Sequence, residues 1–288
     1  MRAESSPWSS DPASALSRRA AVALMFAAAL AGVAGLMAWG PVVLRPQMHQ
    51  FADTRVWWGV PSGVNVWSHL PLLPLGLWGL WRVTRLPASE PLRLVWACFF
   101  VSQMLATVGG MAYHWHPGDL TFIWDQVPRS AACALFATAF VAERVDARLG
   151  RVQGVGLALV AVALAMLWWW VTRLTGGAGD LRPLIWLEFS PIGLLAAGAW
   201  TLRGHLLSRL DWQRSVLSFA VAQTVDWADR PIYDWSGQSV SGHALRHLAL
   251  AACVGWVAWR LGRSAYPVAR PARDQASTTS LPDSRLAS

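Results

Sequence analysis

Long apolar segments are the feature that most limits what this chain can fold into. Eight of them follow one another along the 288 residues, each close to the roughly 20 residues that a helix needs to cross a bilayer. Backbone groups in lipid must be hydrogen-bonded inside their own segment, so such segments fold as helices. The predicted spans are residues 20–40, 63–82, 91–113, 120–142, 153–173, 183–203, 212–228 and 242–262.

Composition agrees with a membrane protein. The chain is 55% hydrophobic and only 14% charged, and its 20 tryptophans are typical of residues that line membrane–water interfaces. The net charge of +8 comes from arginines in short loops rather than in one patch, so we predict no nucleic-acid partner. Residues 1–19 and 264–288 are rich in Ser, Pro, Ala and Arg and are predicted to be disordered tails.

Arginine positions predict the orientation. With a cytoplasmic N-terminus, the inside loops and tails hold 17 arginines and the outside loops hold 5. Cytoplasmic loops carry the excess of positive charge in membrane proteins. We therefore expect a multi-pass protein of a bacterial inner membrane with both termini in the cytoplasm.

Ionisable and polar groups lie at the outer ends of five of these spans. His243 and His247 open the last span, His114 closes the third, and Asp125 lies in the second turn of the fourth. Such groups are costly in a membrane and commonly mark a functional site. Four further residues lie at a similar depth: Asn65, Ser68, Glu188 and Asp226.

The spacing of the last two histidines points to a metal. His243 and His247 are four residues apart, so both imidazoles lie on one helix face and can bind one ion. A third ligand from another helix would leave a fourth position open, which is the arrangement of a catalytic zinc. Asp125 could orient a water, act as a general base, or hold an imidazole in one tautomer.

Each residue also has a purely structural interpretation. The histidine pair could pack at the interface, and Asp125 could form an ion pair with Arg129 one turn away. Arg246 could extend towards the headgroups. Asn65 and Ser68 could hydrogen-bond neighbouring helices, Glu188 could serve a kinked helix, and Asp226 could lie in a solvated loop.

Several of these blocks resemble the alkaline ceramidase family, one branch of a superfamily of seven-span membrane hydrolases that includes adiponectin-receptor-like proteins. The family has a histidine ending its second core span, an aspartate eleven residues later, a proline after three more, and a His-x-x-x-His pair opening its seventh span. The segment NVWSHLPLLPLGLWGL is similar to the family's first-span block, with His69 in place of an asparagine. The matching residues are His114, Asp125, Pro128, His243 and His247.

The resemblance implies a fold and an activity. Residues 49–262 would form the seven-helix core, and residues 20–40 would be an extra N-terminal transmembrane helix. A zinc ion would be held by His114, His243 and His247, with Asp125 in catalysis, and the reaction would be hydrolysis of an amide in a ceramide-like membrane lipid. No protein partner is predicted, and His69 and His116 are not predicted to be ligands.

One departure from the family concerns a hydroxyl group. The family has a serine four residues before its first zinc histidine, where this chain has Gly110. Thr107, one turn away, is the candidate replacement, and Gly110→Ser is expected to keep or raise activity. Residues that could bind substrate or hold the ligands in place are Asn65, Ser68, Thr107, Gly110, Glu188 and Asp226.

Two other classes of protein fit the same pattern. A receptor or scaffold could keep the metal for structure, as a fully coordinated ion would allow. A transporter could use its buried acids as an ion path. The transporter is disfavoured because the sequence has no inverted repeat and its polar groups stop at one side.

Overall fold

The computed structural model describes residues 12–198, 202 and 204–264, and these residues form an all-helical fold. Two single-turn 3₁₀ helices, Pro46–His49 and Ala147–Gly150, lie in connections. The α-helices are α1 Pro12–Trp39, α2 Gly63–Trp67, α3 Leu72–Thr84, α4 Arg93–Trp115, α5 Asp119–Arg144, α6 Val152–Gly176, α7 Arg182–Gly198, α8 Arg209–Trp227, α9 Asp229–Trp235 and α10 Gly242–Ser264.

In the described part of the chain, three helices are long and apolar enough to cross a membrane by length and composition: Arg18–Trp39, Arg93–Trp115 and Val152–Gly176. The outer surface of α6 is apolar as well, with Leu157 and Leu164 each at least 60% exposed. Apolar surface of this extent is typical of a helix that faces lipid. The other predicted spans fall on helices that are shorter or more polar, such as the 13-residue α3 and the charged α5.

The predicted second span, residues 63–82, is not one continuous helix. It divides into α2 and α3, and a tight turn over residues 68–71 separates them. Pro71 explains the break, because proline disfavours helical backbone at the residue before it and lacks an N–H. The turn brings Ser68 and His69 out of the regular helix.

The ends of the fold also differ from the predicted boundaries. The predicted N-terminal tail, residues 1–19, overlaps α1, which begins at Pro12, and the rest of that tail lies outside the described residues. The same holds for residues 265–288 of the predicted C-terminal tail. The predicted seventh span, residues 212–228, corresponds to α8, and the short helix α9 follows it.

Loops at one end of the bundle contact one another. Arg18 at the start of α1 donates to the carbonyl of Val145, and Glu143 accepts from the backbone N–H groups of Leu206 and Leu207. These loops are the arginine-rich ones. The connections at the opposite end also meet, as where Ala52 donates to the carboxylate of Asp229.

An ion pair at the arginine-rich end predicts a pH-dependent contribution to stability. Nε2–H of His205 donates to the Glu90 carboxylate at 3.0 Å, and this hydrogen bond raises the pKa of His205. Burial alone would raise the pKa of Glu90, but this hydrogen bond holds it below the usual value. The pair therefore stabilises the fold near pH 6 and loses its effect as pH rises through the raised pKa of His205.

We expect His205→Ala to lower the apparent melting temperature at pH 6 by roughly 1–3 °C, since a half-exposed pair contributes no more than about 1 kcal/mol. At pH 9 the variant and the wild type should have the same melting temperature, because His205 is then neutral in both the folded and the unfolded state. Thermal unfolding in detergent at the two pH values measures this. An equal loss at both values would contradict the ion-pair account.

Candidate metal centre

Four histidines meet near the end of the bundle opposite the arginine-rich loops. His69 lies in the turn between α2 and α3, His114 in the last turn of α4, and His243 and His247 in the first two turns of α10. All four side chains are buried. The rings of His69 and His247 have centroids 3.7 Å apart, and those of His114 and His243 are 4.8 Å apart.

Glycines allow the helices to approach closely enough for this. A Cβ atom at Gly109 of α4 would overlap the backbone carbonyl of Trp124 in α5. Pro128 lacks the N–H that would bond that carbonyl, so α5 is open to a neighbour at this turn. Gly242 is similarly close to the carbonyl of Val225, which brings the start of α10 against α8.

Hydrogen bonds define the tautomers of two of the imidazoles. Ser68 Oγ donates to the backbone carbonyl of Asn65 at 2.8 Å, so it can only accept from Nδ1 of His247, 2.7 Å away. Nδ1 of His69 donates to the same Asn65 carbonyl at 3.0 Å. In both rings the proton of the neutral form lies on Nδ1, which leaves a lone pair on Nε2.

His243 is held in the same way by a carboxylate. Its Nδ1 lies 2.6 Å from Oδ1 of Asp226, and its backbone N–H donates to Asp229. Its Nε2 faces Nε2 of His114 at 3.2 Å. Two nitrogens bound to one tetrahedral zinc at ~2.0–2.1 Å lie about 3.3–3.4 Å apart, so this spacing fits two ligands of one ion.

The donor set therefore fits a metal ion. Ligand atoms of His69, His114 and His247 all lie within 4.8 Å of one another. The Nε2 lone pairs of His69 and His247 are available to a cation, and imidazole nitrogens suit zinc, copper, iron and nickel. Oxygen partners on the other ring nitrogen, as seen for three of these rings, are the usual support of metal-binding histidines.

A chain of charged side chains extends from the centre into the protein. Arg246 donates to Asp226 at 2.9 Å and to Glu188 at 3.2 Å. Arg129 lies 3.7 Å from Glu188 and donates to Asp125 at 2.9 Å. These three carboxylates and two guanidinium groups leave one negative charge, which complements a cation at the histidines.

The contacts of these charged residues test three of the structural interpretations suggested by the sequence. The predicted Asp125–Arg129 ion pair is confirmed. Arg246 is only 7% exposed and binds two acids, so it does not extend to the headgroups. Asp226 is bound to His243 and Arg246 rather than placed in a solvated loop.

Phe51 forms the cover of the centre. Its ring lies 4.4 Å from that of His114 and 4.7 Å from that of His243, measured between centroids. The two residues that follow Phe51 are anchored, since Ala52 donates to Asp229 and the carbonyl of Asp53 accepts from the side chain of Asn65. Phe51 thus shields the two imidazoles from water on that side.

A cavity of about 90 Å³ lies among α4, α5, α7, α8 and α10. Arg129 and Glu188 provide its charged lining, and most other lining residues are apolar. The apolar lining includes Phe99, Phe136, Phe219, Leu250 and Val254. The ion pair that leads to Asp125 therefore also borders an apolar space in the protein interior.

The remaining predicted residues have defined positions. The Thr107 hydroxyl donates to the carbonyl of Gln103 in its own helix, so its proton is not directed at the histidines. Gly110 packs directly against the ring of His69. Asp125 interacts electrostatically with His69, while its hydrogen bond in the described part of the chain goes to Arg129.

His69 is the residue that sequence reasoning missed. The ligand set predicted from sequence left it out, whereas the described residues that could hold one ion are His69, His114 and His247. That removing His69 would leave the metal content nearly unchanged stays a prediction. Two differences from the ceramidase pattern could have indicated the position of His69: a histidine at position 69 and a glycine at position 110. Only the fold reveals that these positions face each other.

Comparisons with known proteins add no identification. A scan against models of protein families finds none that matches, and a search of curated proteins finds no matching relative.

Proposed function

We propose that the protein is a membrane-embedded, zinc-dependent hydrolase that cleaves an amide bond in a ceramide-like lipid. The observation that carries this proposal is the group of imidazole nitrogens able to hold one ion, which charged side chains connect to an apolar cavity bordered by Arg129 and Glu188. The similarity of the His114, Asp125 and His243/His247 blocks to alkaline ceramidases supplies the reaction class. The proposed fold is the seven-helix core over residues 49–262 with one added helix.

The ligands in this proposal are His114, His243 and His247. Ser68 and Asp226 keep two of these rings in the tautomer that presents Nε2. A bound zinc ion would polarise the substrate carbonyl and make a nucleophilic water available at neutral pH.

Asp125 moves the proton in the proposed reaction. Hydrolysis forms a carbon–oxygen bond and breaks the carbon–nitrogen bond, so a proton must pass from water to the leaving amine. The Asp125 carboxylate is 5% exposed, and a hydrogen bond from Arg129 holds its orientation. Protonation of the leaving nitrogen by Asp125 yields a free amine and a fatty acid.

The cavity suits part of the lipid tail. Its apolar wall could take methylene groups, while the Arg129–Glu188 pair provides its charged lining. In the predicted orientation the site lies near the outer face of a bacterial inner membrane. A lipid could then bring its amide level with the histidines while its tail stays between helices.

The test is hydrolysis by purified, zinc-loaded protein of a panel of N-acyl sphingoid bases, other amide lipids and ester lipids. We expect slow release of fatty acid from an amide lipid, because the family's serine is replaced by Gly110. A chelator should stop the release, and added zinc should restore it.

Absence of fatty acid release from every lipid, with one zinc bound per chain, would overturn the enzyme proposal. The metal-stabilised receptor or scaffold would then replace it. Release that persists in excess chelator would leave a hydrolase and remove the metal from its mechanism.

A further inference from the structure

His69 occupies the space that a side chain at position 110 would fill. A Cβ atom on Gly110 would overlap the His69 ring at Nε2 and its two neighbouring carbons. The ring cannot easily move away, because it is 3% exposed and its Nδ1 is bonded to the Asn65 carbonyl. Gly110 therefore makes room for the imidazole.

The free nitrogen of His69 faces the metal centre. Because Nδ1 donates to a carbonyl, which can only accept, the neutral ring has its lone pair on Nε2. The ring lies against those of His247 and His114, with centroids 3.7 and 5.1 Å away. The metal-capable group consists of these three residues.

We propose that His69 is a fourth imidazole ligand of the metal centre, admitted by Gly110 at the place where ceramidases have a serine. The inference rests on the metal centre of the proposed function and not on its hydrolytic reaction. It gives the ion four imidazole nitrogen donors. Three of them belong to the group whose ligand atoms lie within 4.8 Å of one another: His69, His114 and His247. His243 lies outside that group and is included because its Nε2 is 3.2 Å from Nε2 of His114.

Four imidazoles have a consequence for chemistry. A tetrahedral zinc with four protein ligands has no open position, as in structural sites. A substrate or water must then bind as a fifth ligand, which catalytic zinc permits transiently. His69 would slow turnover while strengthening metal binding.

The direct test counts imidazoles. X-ray absorption of the zinc-loaded, full-length wild type should show outer-shell scattering from four imidazole rings, and His69→Asn should show one fewer. Zinc affinity, measured by competition with a chelating dye, should fall at least about tenfold, since even residues that only support ligands are worth 10–100-fold. An unchanged ring count and affinity in His69→Asn would overturn the proposal.

A second set of variants tests the role of Gly110. Gly110→Ser alone should displace His69 and weaken zinc binding, which reverses the expectation from family resemblance that this serine helps. His69→Asn combined with Gly110→Ser should bind zinc no more weakly than His69→Asn alone. Gly156→Ser is the matched control, because a Cβ there has nothing within 4 Å. A Gly110→Ser protein with wild-type affinity and ring count would contradict the proposal.

The outcomes separate this inference from the proposed function. Four imidazoles on a protein that hydrolyses no lipid would support the ligand and overturn the enzyme. If the protein hydrolyses lipid and His69→Asn leaves the number of zinc-bound imidazoles unchanged, the proposed enzyme is supported and the role of His69 as a ligand is overturned.

Discussion

Purified His247→Ala will contain almost no zinc, whereas the wild type will contain about one zinc per chain. His247 is the ligand whose loss should matter most. It lies against His69 and His114 and is 5% exposed. Its Nδ1 is fixed by Ser68, so Nε2 is already aimed at the ion before binding. Asp226 and Glu188 cannot replace it as metal ligands, because both carboxylates are bound to Arg246.

Metal analysis after gel filtration measures this, and lipid hydrolysis should disappear with the metal. His116→Ala is the matched control, since His116 lies two residues beyond His114 but is exposed at the end of α4. It should keep its zinc. A full complement of zinc in His247→Ala would show that the ion, if bound, lies elsewhere.

That the helix ends carrying His114 and His243 meet could be predicted from sequence, because it follows from counting the spans. Alternating spans fix which helix ends share a side, and the spacing of His243 and His247 fixes their common face. His114 and His243 indeed meet, with ring nitrogens 3.2 Å apart. Neither prediction depends on the rotation of a helix about its own axis.

The neighbours of each polar group could not be predicted because they depend on that rotation and on close backbone contacts. The approach of α4 to α5 depends on Gly109, which lies against the backbone carbonyl of Trp124. That carbonyl has no helical N–H partner because Pro128 stands four residues later. The position of His69 depends on a turn at Pro71 inside what hydropathy presents as one apolar segment. Hydropathy averages over such local breaks, so it predicts one span where the chain forms two helices.

The charged chain was missed for a related reason. Arg246 and Glu188 are 58 residues apart, and each alone has an ordinary structural explanation. Their pairing becomes visible only when α7 and α10 are placed side by side. Burial of an arginine between two acids is expensive unless each charge is matched, and here each is.

Asp125→Asn will retain zinc and lose turnover by a factor on the order of 10²–10⁴, the usual contribution of a general acid–base group. The asparagine keeps the shape of the side chain and can still accept a hydrogen bond from Arg129. It cannot take a proton from water or return one to the leaving amine. Zinc should remain because the four histidines and the oxygen partners of three of them, Asn65, Ser68 and Asp226, are untouched.

A purely structural role for Asp125 makes a different prediction. If the carboxylate only neutralises Arg129, removing both charges should restore activity. Asp125→Asn combined with Arg129→Leu tests this, with Arg129→Leu alone as the control. Single-turnover release of fatty acid from zinc-loaded protein is the measurement. We expect Arg129→Leu to keep measurable activity and the double variant to stay as slow as Asp125→Asn. Recovery in the double variant would assign Asp125 to the ion pair and leave proton transfer to another group.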